Sequence, residues 1–246
     1  MENRNVFGQV PGQYRAFRPG YPDELFEHLA SASSSLGSAL DCATGNGQAA
    51  VGLAQRFERV AAFDSSAEQI KNAIEHARVE YRVGPAESPP FDECFDLVTV
   101  AEAAHWFDLP VFYDSLAKIT HDRSVIAIWG YTYSTVEPRV DACVADLLVR
   151  HIDPFWAKGN RVILDRYQSI PFPFQEMPWP DVALRYAWTL DAYMGYIRTW
   201  SAVKLFERAH GWDPVVELEA ALGEFWQADE SKPIEFELFG RIGRRG

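Results

Sequence analysis

Hydrophobic positions along this chain recur with two alternating periods. Leu25, Phe26 and Leu29 share one face of "PDELFEHLA", opened by Pro22 with acids in its first turn, which predicts a helix. The short apolar run "SALDCA" (38–43) reads as a buried strand, and a helix is expected from Gly47 to about Phe57. "RVAAFD" is a second strand, and "SAEQIKNAIEHA" a second such helix, with Ser65 or Ser66 as N-cap. "VEYRVG" and "FDLVTVA" read as strands, "LPVFYDSLAKIT" as a helix and "SVIAIWGY" as a buried strand. Strands alternating with helices in units of roughly 20 to 30 residues predict an α/β fold with a parallel, doubly wound sheet. From Val136 the rhythm changes. Val140, Val144, Leu147, Leu148 and Ile152 keep helical spacing, but the stretch to Pro180 is rich in proline and aromatics and reads as a cap over the sheet's C-terminal edge. Helices are expected after "VALRYAWTL". In "PIEFELFGRI", Ile234, Phe236 and Leu238 alternate with Glu235 and Glu237, which predicts an antiparallel final strand. Residues 1–21, rich in Gln, Arg, Gly and aromatics, read as an extended arm, residues 22–135 as a ligand-binding core and 181–246 as the C-terminal part of a single domain.

Composition narrows the partners. With 246 residues, 48% of them apolar, the chain can bury a sizeable core. A net charge of −12 argues against nucleic acid, whose binding needs a basic face. The basic trio Arg241, Arg244 and Arg245 reads as a solvated end. No apolar run reaches the roughly 20 residues of a membrane span, and Met1–Val10 lacks a signal-peptide core, so no membrane partner and a cytoplasmic location are expected. Cys42, Cys94 and Cys143 form no metal-binding pair and read as buried thiols. Asp108 and Asp114, six apart without histidine partners, read as a helix-start acid and a solvent acid, so no metal is expected.

The stretch "LDCATGNGQ" (40–48) carries the chemistry. Gly45-x-Gly47-x-x-Ala50 fits a dinucleotide fingerprint, and Asp64 ends the second strand where a ribose-binding acid would stand. Asp41, four residues before the first glycine, would repel a pyrophosphate but tolerate a cation. A nicotinamide-dependent oxidoreductase is therefore the weaker alternative.

The segments "YRAFRPGYP", "LDCATGNGQAA", "VAAFDSSAEQI", "YRVGPAESPPF", "FDLVTVAEAAHWFD", "VIAIWGY" and "IRTWSA" resemble, in order, the class I SAM-dependent methyltransferases, in particular their type-11 and trans-aconitate-methyltransferase-like group. The resemblance implies a Rossmann-like, mostly parallel seven-stranded sheet and S-adenosyl-L-methionine as cofactor, leaving S-adenosyl-L-homocysteine. It implies that Asp41, Ala43, Gly45 and Gly47 line the methionine end of the cofactor. Asp64 would take the ribose hydroxyls, Ser65, Ala86 and Glu87 would edge the adenine, and Glu102 would lie beside the cofactor. Ala43 departs from the family's usual glycine, and its methyl tightens the approach.

A sulfonium is an activated methyl donor, so the chain's task is to hold a small acceptor in line and exclude water. The acceptor is expected to be an oxygen of a carboxylic acid or hydroxyl compound. A carboxylate needs no base, whereas a phenol or alcohol does, and His105 in "AHWFD" is the candidate. Tyr14, Tyr21, Trp106, Tyr131 and Trp200 are candidate apolar walls, and Arg18 a candidate carboxylate anchor, on an arm expected to close as a lid. A monomer or homodimer is expected. A SAM-binding protein without turnover remains a further alternative.

Overall fold

The computed structural model describes residues 20–246, so most of the expected arm, with Tyr14 and Arg18, lies outside the described residues. The chain divides into two compact units, one comprising Gly20–Thr132, Val162–Ala183 and Leu238–Gly246, the other including Tyr133–Arg161 and Leu184–Glu237.

In the first unit, α1 (Asp23–Ala32) buries Leu25, Phe26 and Leu29, the three residues its periodicity places on one face. Strands β1 (Ser38–Cys42), β2 (Arg59–Asp64), β3 (Val79–Val83), β4 (Phe95–Ala101) and β5 (Thr120–Thr135) pair in parallel, in the order β3-β2-β1-β4-β5. β1 is buried along its whole length and is flanked on both edges by parallel strands, with Leu40 opposite Ala61 of β2 and Val98 of β4. The chain winds from β1 towards β2 on one side and towards β4 on the other, so a topological switch lies beside β1, and the loops leaving β1 and β4 meet there. β3 is the edge strand and is largely exposed, as its mixed sequence suits.

The order continues through β8 (Lys232–Arg244) to β6 (Gln175–Met177), while β7 (Ala183–Trp188) also pairs with β8. β6 runs antiparallel to β8. The mostly parallel sheet with its antiparallel last strand is as expected, but it has eight strands where seven were expected, because two short strands both pair with the long β8. In β8, Ile234, Phe236 and Leu238 are buried and Glu235 and Glu237 exposed, as their alternation predicts.

Two helices are shorter than their periodicity suggests. The first, α2, spans Gln48–Leu53 and the next, α3, only Ala67–Lys71. α3 is capped by the Ser66 hydroxyl, which accepts from the Gln69 amide. It stops early because the Ile74 amide donates to the Asn46 carbonyl, drawing the chain away from helical geometry and onto the glycine turn. α4 (Leu109–Leu116) is capped by Asp108, as expected, and Asp114 on it is exposed.

The stretch 136–180, expected as one cap, is divided between the units after Arg161. Its later part contributes Tyr167 and Ile170 to the same buried cluster as β1, β4 and β5, which places it in the first unit. Its earlier part forms α5 (Pro138–Val144), a π-helical turn Ala145–Val149 and a further turn Arg150–Ile152. There Val140, Val144, Leu148 and Ile152 are buried and Leu147 is half-buried, the wider π turn absorbing the extra residue in the pattern. That second unit also holds α6 (Leu190–Ile197), α7 (Ser201–His210) and α8 (Val215–Gly223).

The basic trio is not a solvated end. Arg241 bonds the Ile170 carbonyl (2.8 Å) and pairs with Glu176. Arg244 reaches the Ala32 carbonyl, and Arg245 donates to Ala117 O and Thr120 Oγ1. The Arg244 and Arg245 guanidiniums thus satisfy carbonyls where α1 and α4 end. Of the cysteines only Cys42 is buried, while Cys94 is exposed and Cys143 half-buried, so the expectation of three buried thiols fails for two.

Candidate active site

The loop after β1 bends back at once. Ala43 has φ +53°, Gly45 +56° and Gly47 +86°, the left-handed region that glycine enters without steric cost. The turn is fastened to β2, since the Thr44 amide donates to Phe63 O (2.9 Å) and the Gly45 amide to Asp64 Oδ2 (3.0 Å). The two glycines differ. A Cβ on Gly45 would meet nothing within 4 Å, whereas one on Gly47 would run into the Tyr81 ring. Gly45 thus faces open space, and Gly47 is needed for packing.

Two carboxylates flank the turn. Asp41 is fully buried. Its Oδ2 accepts from Thr44 Oγ1 (2.5 Å) and its Oδ1 from Thr99 Oγ1 (2.8 Å) on the neighbouring β4. Burial pushes its pKa up to about 6 against the help of these hydroxyls, and the charge of Asp64 pushes it the same way. Asp64 receives the amides of Gly45 and Ser66 (2.8 Å), one on each oxygen, leaving each a further lone pair. Burial raises its pKa, opposed by those two amides. Among the described residues neither acid has a salt-bridge partner. The pocket side of β1 and β2 therefore carries negative potential suited to a cationic ligand.

Ser65 is exposed beside Asp64, Ala86 is buried in the loop after β3, and Glu87 there accepts from the Asp108 amide (3.1 Å), joining that loop to α4.

After β4, Glu102 sits at φ +55°. Its amide donates to Trp129 O and its Oε1 accepts from the Tyr131 amide (2.7 Å), so the carboxylate is turned onto the end of β5. A 3₁₀ turn, Ala104–Trp106, then presents His105, whose Nδ1 lies 2.9 Å from the Tyr167 hydroxyl. Burial lowers the His105 pKa to about 3, so the ring is neutral near pH 7. Trp106 packs against His105 at 4.8 Å between ring centroids, and Tyr21 meets Trp129 edge-on at 5.4 Å. Tyr131 is buried. Trp200 belongs to the other unit, where it packs against Tyr133, Trp156 and Tyr196.

A family model described as a methyltransferase domain matches residues 40–128, from within the strand before the glycine turn to the middle of β5. A protein of Dictyostelium discoideum named a "putative methyltransferase" is 33% identical over 223 residues, covering 88% of this chain and 84% of that protein. The chain belongs to the class I SAM-dependent methyltransferases. The solved structure of a "putative type II methyltransferase" from Anaeromyxobacter dehalogenans superimposes on this methyltransferase with a TM-score of 0.86 at 37% identity, covering 93% of this chain and 98% of that one. An uncharacterised methyltransferase of Mycobacterium tuberculosis is 34% identical over 172 residues, or 68% of this chain and 65% of its own.

The residues of the methyltransferase fit an S-adenosyl ligand. Open space lies beside Gly45, the half-buried Asp64 carboxylate is bonded to the Gly45 amide and Asp41 is buried beneath the turn, and no cation pairs with either acid among the described residues. Asn46 Nδ2 is buried in the turn with no partner among those residues, an amide donor suited to a ligand oxygen. Asn46 was legible only as a residue between glycines. Thr44 and Thr99, which hold Asp41, and Tyr167, which meets His105, were missed. Thr99 and Tyr167 reach their partners across 58 and 62 residues of sequence, and no local pattern marks either. Among the described residues no helix is long and apolar enough to cross a membrane, and no His, Cys, Asp and Glu cluster could hold a metal.

Proposed function

We propose that this methyltransferase binds S-adenosyl-L-methionine at the turn after β1 and methylates an oxygen of a small acceptor. The observation that carries the reading is the pair of acids, Asp41 and Asp64, on either side of an open glycine turn, with no basic residue neutralising them among the described residues. Bound there, S-adenosyl-L-methionine supplies a methyl group on a positively charged sulfur. The side chain of Asn46 holds the amino-acid end, while Asp41, buried beneath, contributes its field and Ala43 the wall. The free lone pairs of Asp64 accept from ribose hydroxyls, and Ser65, Ala86 and Glu87 border the base. Glu102 sets the end of β5, and with it the position of Tyr131, beside the acceptor. Tyr21 and Trp106 supply apolar surface that excludes water from the reacting atoms. His105 faces the acceptor. Arg18 and Tyr14 remain proposals outside the described residues, and a small carboxylic acid or hydroxyl compound remains the proposed acceptor class.

Calorimetry tests the cofactor assignment. S-adenosylhomocysteine should bind at micromolar Kd, and NAD(H) and NADP(H) should give no heat. Asp64→Ala should weaken the binding by about 1–3 kcal/mol through lost charge-assisted hydrogen bonds. Nicotinamide binding without S-adenosylhomocysteine binding would overturn the proposal, and tight cofactor binding with no methyl transfer to any acid, phenol or amine would favour a binding-only protein.

A further inference from the structure

The loop that carries Tyr167 is strained. Arg166 (φ +57°) and Tyr167 (φ +59°) occupy the left-handed region in succession, although neither is glycine. Two adjacent L-residues there are held only when their surroundings over-determine them, and such strain concentrates at functional sites. The strain places the Tyr167 phenol where it has no exposure, its ring edge-on to Phe239 at 5.3 Å and its hydroxyl 2.9 Å from His105 Nδ1.

This contact has two possible proton arrangements. If Nδ1 carried the proton, it would donate to the phenol oxygen, and the phenol hydrogen would remain buried with no acceptor, since His105 is the hydroxyl's only hydrogen-bond partner among the described residues. A buried donor left unpaired is disfavoured by far more than a shared hydrogen bond returns. In the other arrangement the phenol donates to Nδ1 and nothing is orphaned. The nearby charge of Glu102 further opposes loss of the phenol proton. The imidazole proton then lies on Nε2, which has no hydrogen-bond partner among the described residues and belongs to a half-buried residue.

We propose that Tyr167 is a positioning residue that locks His105 as its Nε2–H tautomer, so that His105 offers a hydrogen bond to an already ionised acceptor oxygen, a carboxylate, instead of removing a proton from a hydroxyl. The direction of that bond rests on the methyltransferase reading; the tautomer does not. A neutral imidazole with Nε2 protonated and Nδ1 occupied has no free lone pair to act as a base. An ionised carboxylate needs none.

Long-range proton–nitrogen correlation spectra of ¹⁵N-histidine-labelled protein test this, with His105 assigned through His105→Gln. The cofactor-free wild type should show an unprotonated Nδ1 and protonated Nε2 that do not titrate between about pH 5 and 9. Tyr167→Phe, which removes one oxygen, should lower the tautomer bias about tenfold, the worth of one hydrogen bond. A protonated Nδ1, or titration of His105 within that range, overturns the proposal, and the wild-type spectrum decides this even if the variant fails to fold. With S-adenosylhomocysteine bound, acetate, benzoate or succinate should move the Nε2 proton downfield, while phenol should not. No movement with any of the three carboxylates, or an equal shift with phenol, overturns the carboxylate role. Failure of the methyltransferase reading would show separately, as absent S-adenosylhomocysteine binding beside an unchanged tautomer.

Discussion

The loops leaving β1 and β4 each hold a carboxylate and a non-glycine residue in the left-handed region, yet they are built differently. After β1, the bend from Ala43 to Gly47 is made by consecutive residues and fastened to the adjoining strand by backbone amides. After β4, Glu102 is fixed by the end of β5 and His105 by a tyrosine 62 positions away. A turn that presents backbone and field can be local. A side chain that must be held in one tautomer needs a hydrogen-bonding partner, and on this short turn the flanking Ala104 and Trp106 offer His105 none, so the partner comes from elsewhere in the chain.

The largest effect that would break this contrast is at the glycines. Gly47→Ala should cost on the order of 3 kcal/mol, combining left-handed strain with displacement of Tyr81, whose hydroxyl donates to Ile74 O (2.8 Å). Gly45→Ala should cost only about 1 kcal/mol of stability, because its Cβ meets open space, yet should lower S-adenosylhomocysteine affinity at least about tenfold by filling that space. Urea unfolding and calorimetry of the two variants separate packing from ligand room. Equal destabilisation would mean that the turn has no open side.

The buried acid comes next. Asp41 has a native pKa of about 6 against 3.8 for the free side chain. Between those values the native state holds a proton that the unfolded state has released, so stability falls as pH rises through that window and stays lower above it. Ionised Asp41 thus costs on the order of 2–3 kcal/mol at pH 7.5. Asp41→Asn should match wild type in urea unfolding near pH 4 and exceed it by about 2 kcal/mol near pH 7.5, where the Thr44 and Thr99 hydroxyls can reorient around a neutral amide. The same variant should bind S-adenosylhomocysteine more weakly. A gain independent of pH would place the benefit outside the ionisation.

These outcomes bear on why the two loops differed in legibility. "LDCATGNGQ" announces its turn because glycine spacing is a backbone requirement written in consecutive positions. Strand periodicity likewise located β1, β2, β4 and β8 closely, because burial on one or both faces leaves few other patterns. The α3 helix was overestimated because its end is set by Ile74 reaching Asn46, a tertiary hydrogen bond that overrides propensity. Tyr167 could not be found at all. Its flanking sequence "LDRYQSI" has no periodicity, and its importance comes from strain and burial that only the folded chain imposes.

The smallest effect distinguishes strain that serves chemistry from strain that does not. Ala43 occupies φ +53°, at a cost of about 1–2 kcal/mol for an L-residue. Ala43→Gly removes that cost but adds backbone freedom to the unfolded chain, worth roughly 0.5–1 kcal/mol in the opposite direction. The net expectation is a gain of about 0.5–1 kcal/mol in urea unfolding, with S-adenosylhomocysteine affinity unchanged or slightly tighter. Tyr167→Gly, at the same kind of backbone position, should destabilise instead, since relieving the strain returns less than the packing of the buried ring against Phe239 and its neighbours supplies. If Ala43→Gly also destabilised, the Ala43 methyl would be packing the site wall, and the two loops would have more in common than their construction suggests.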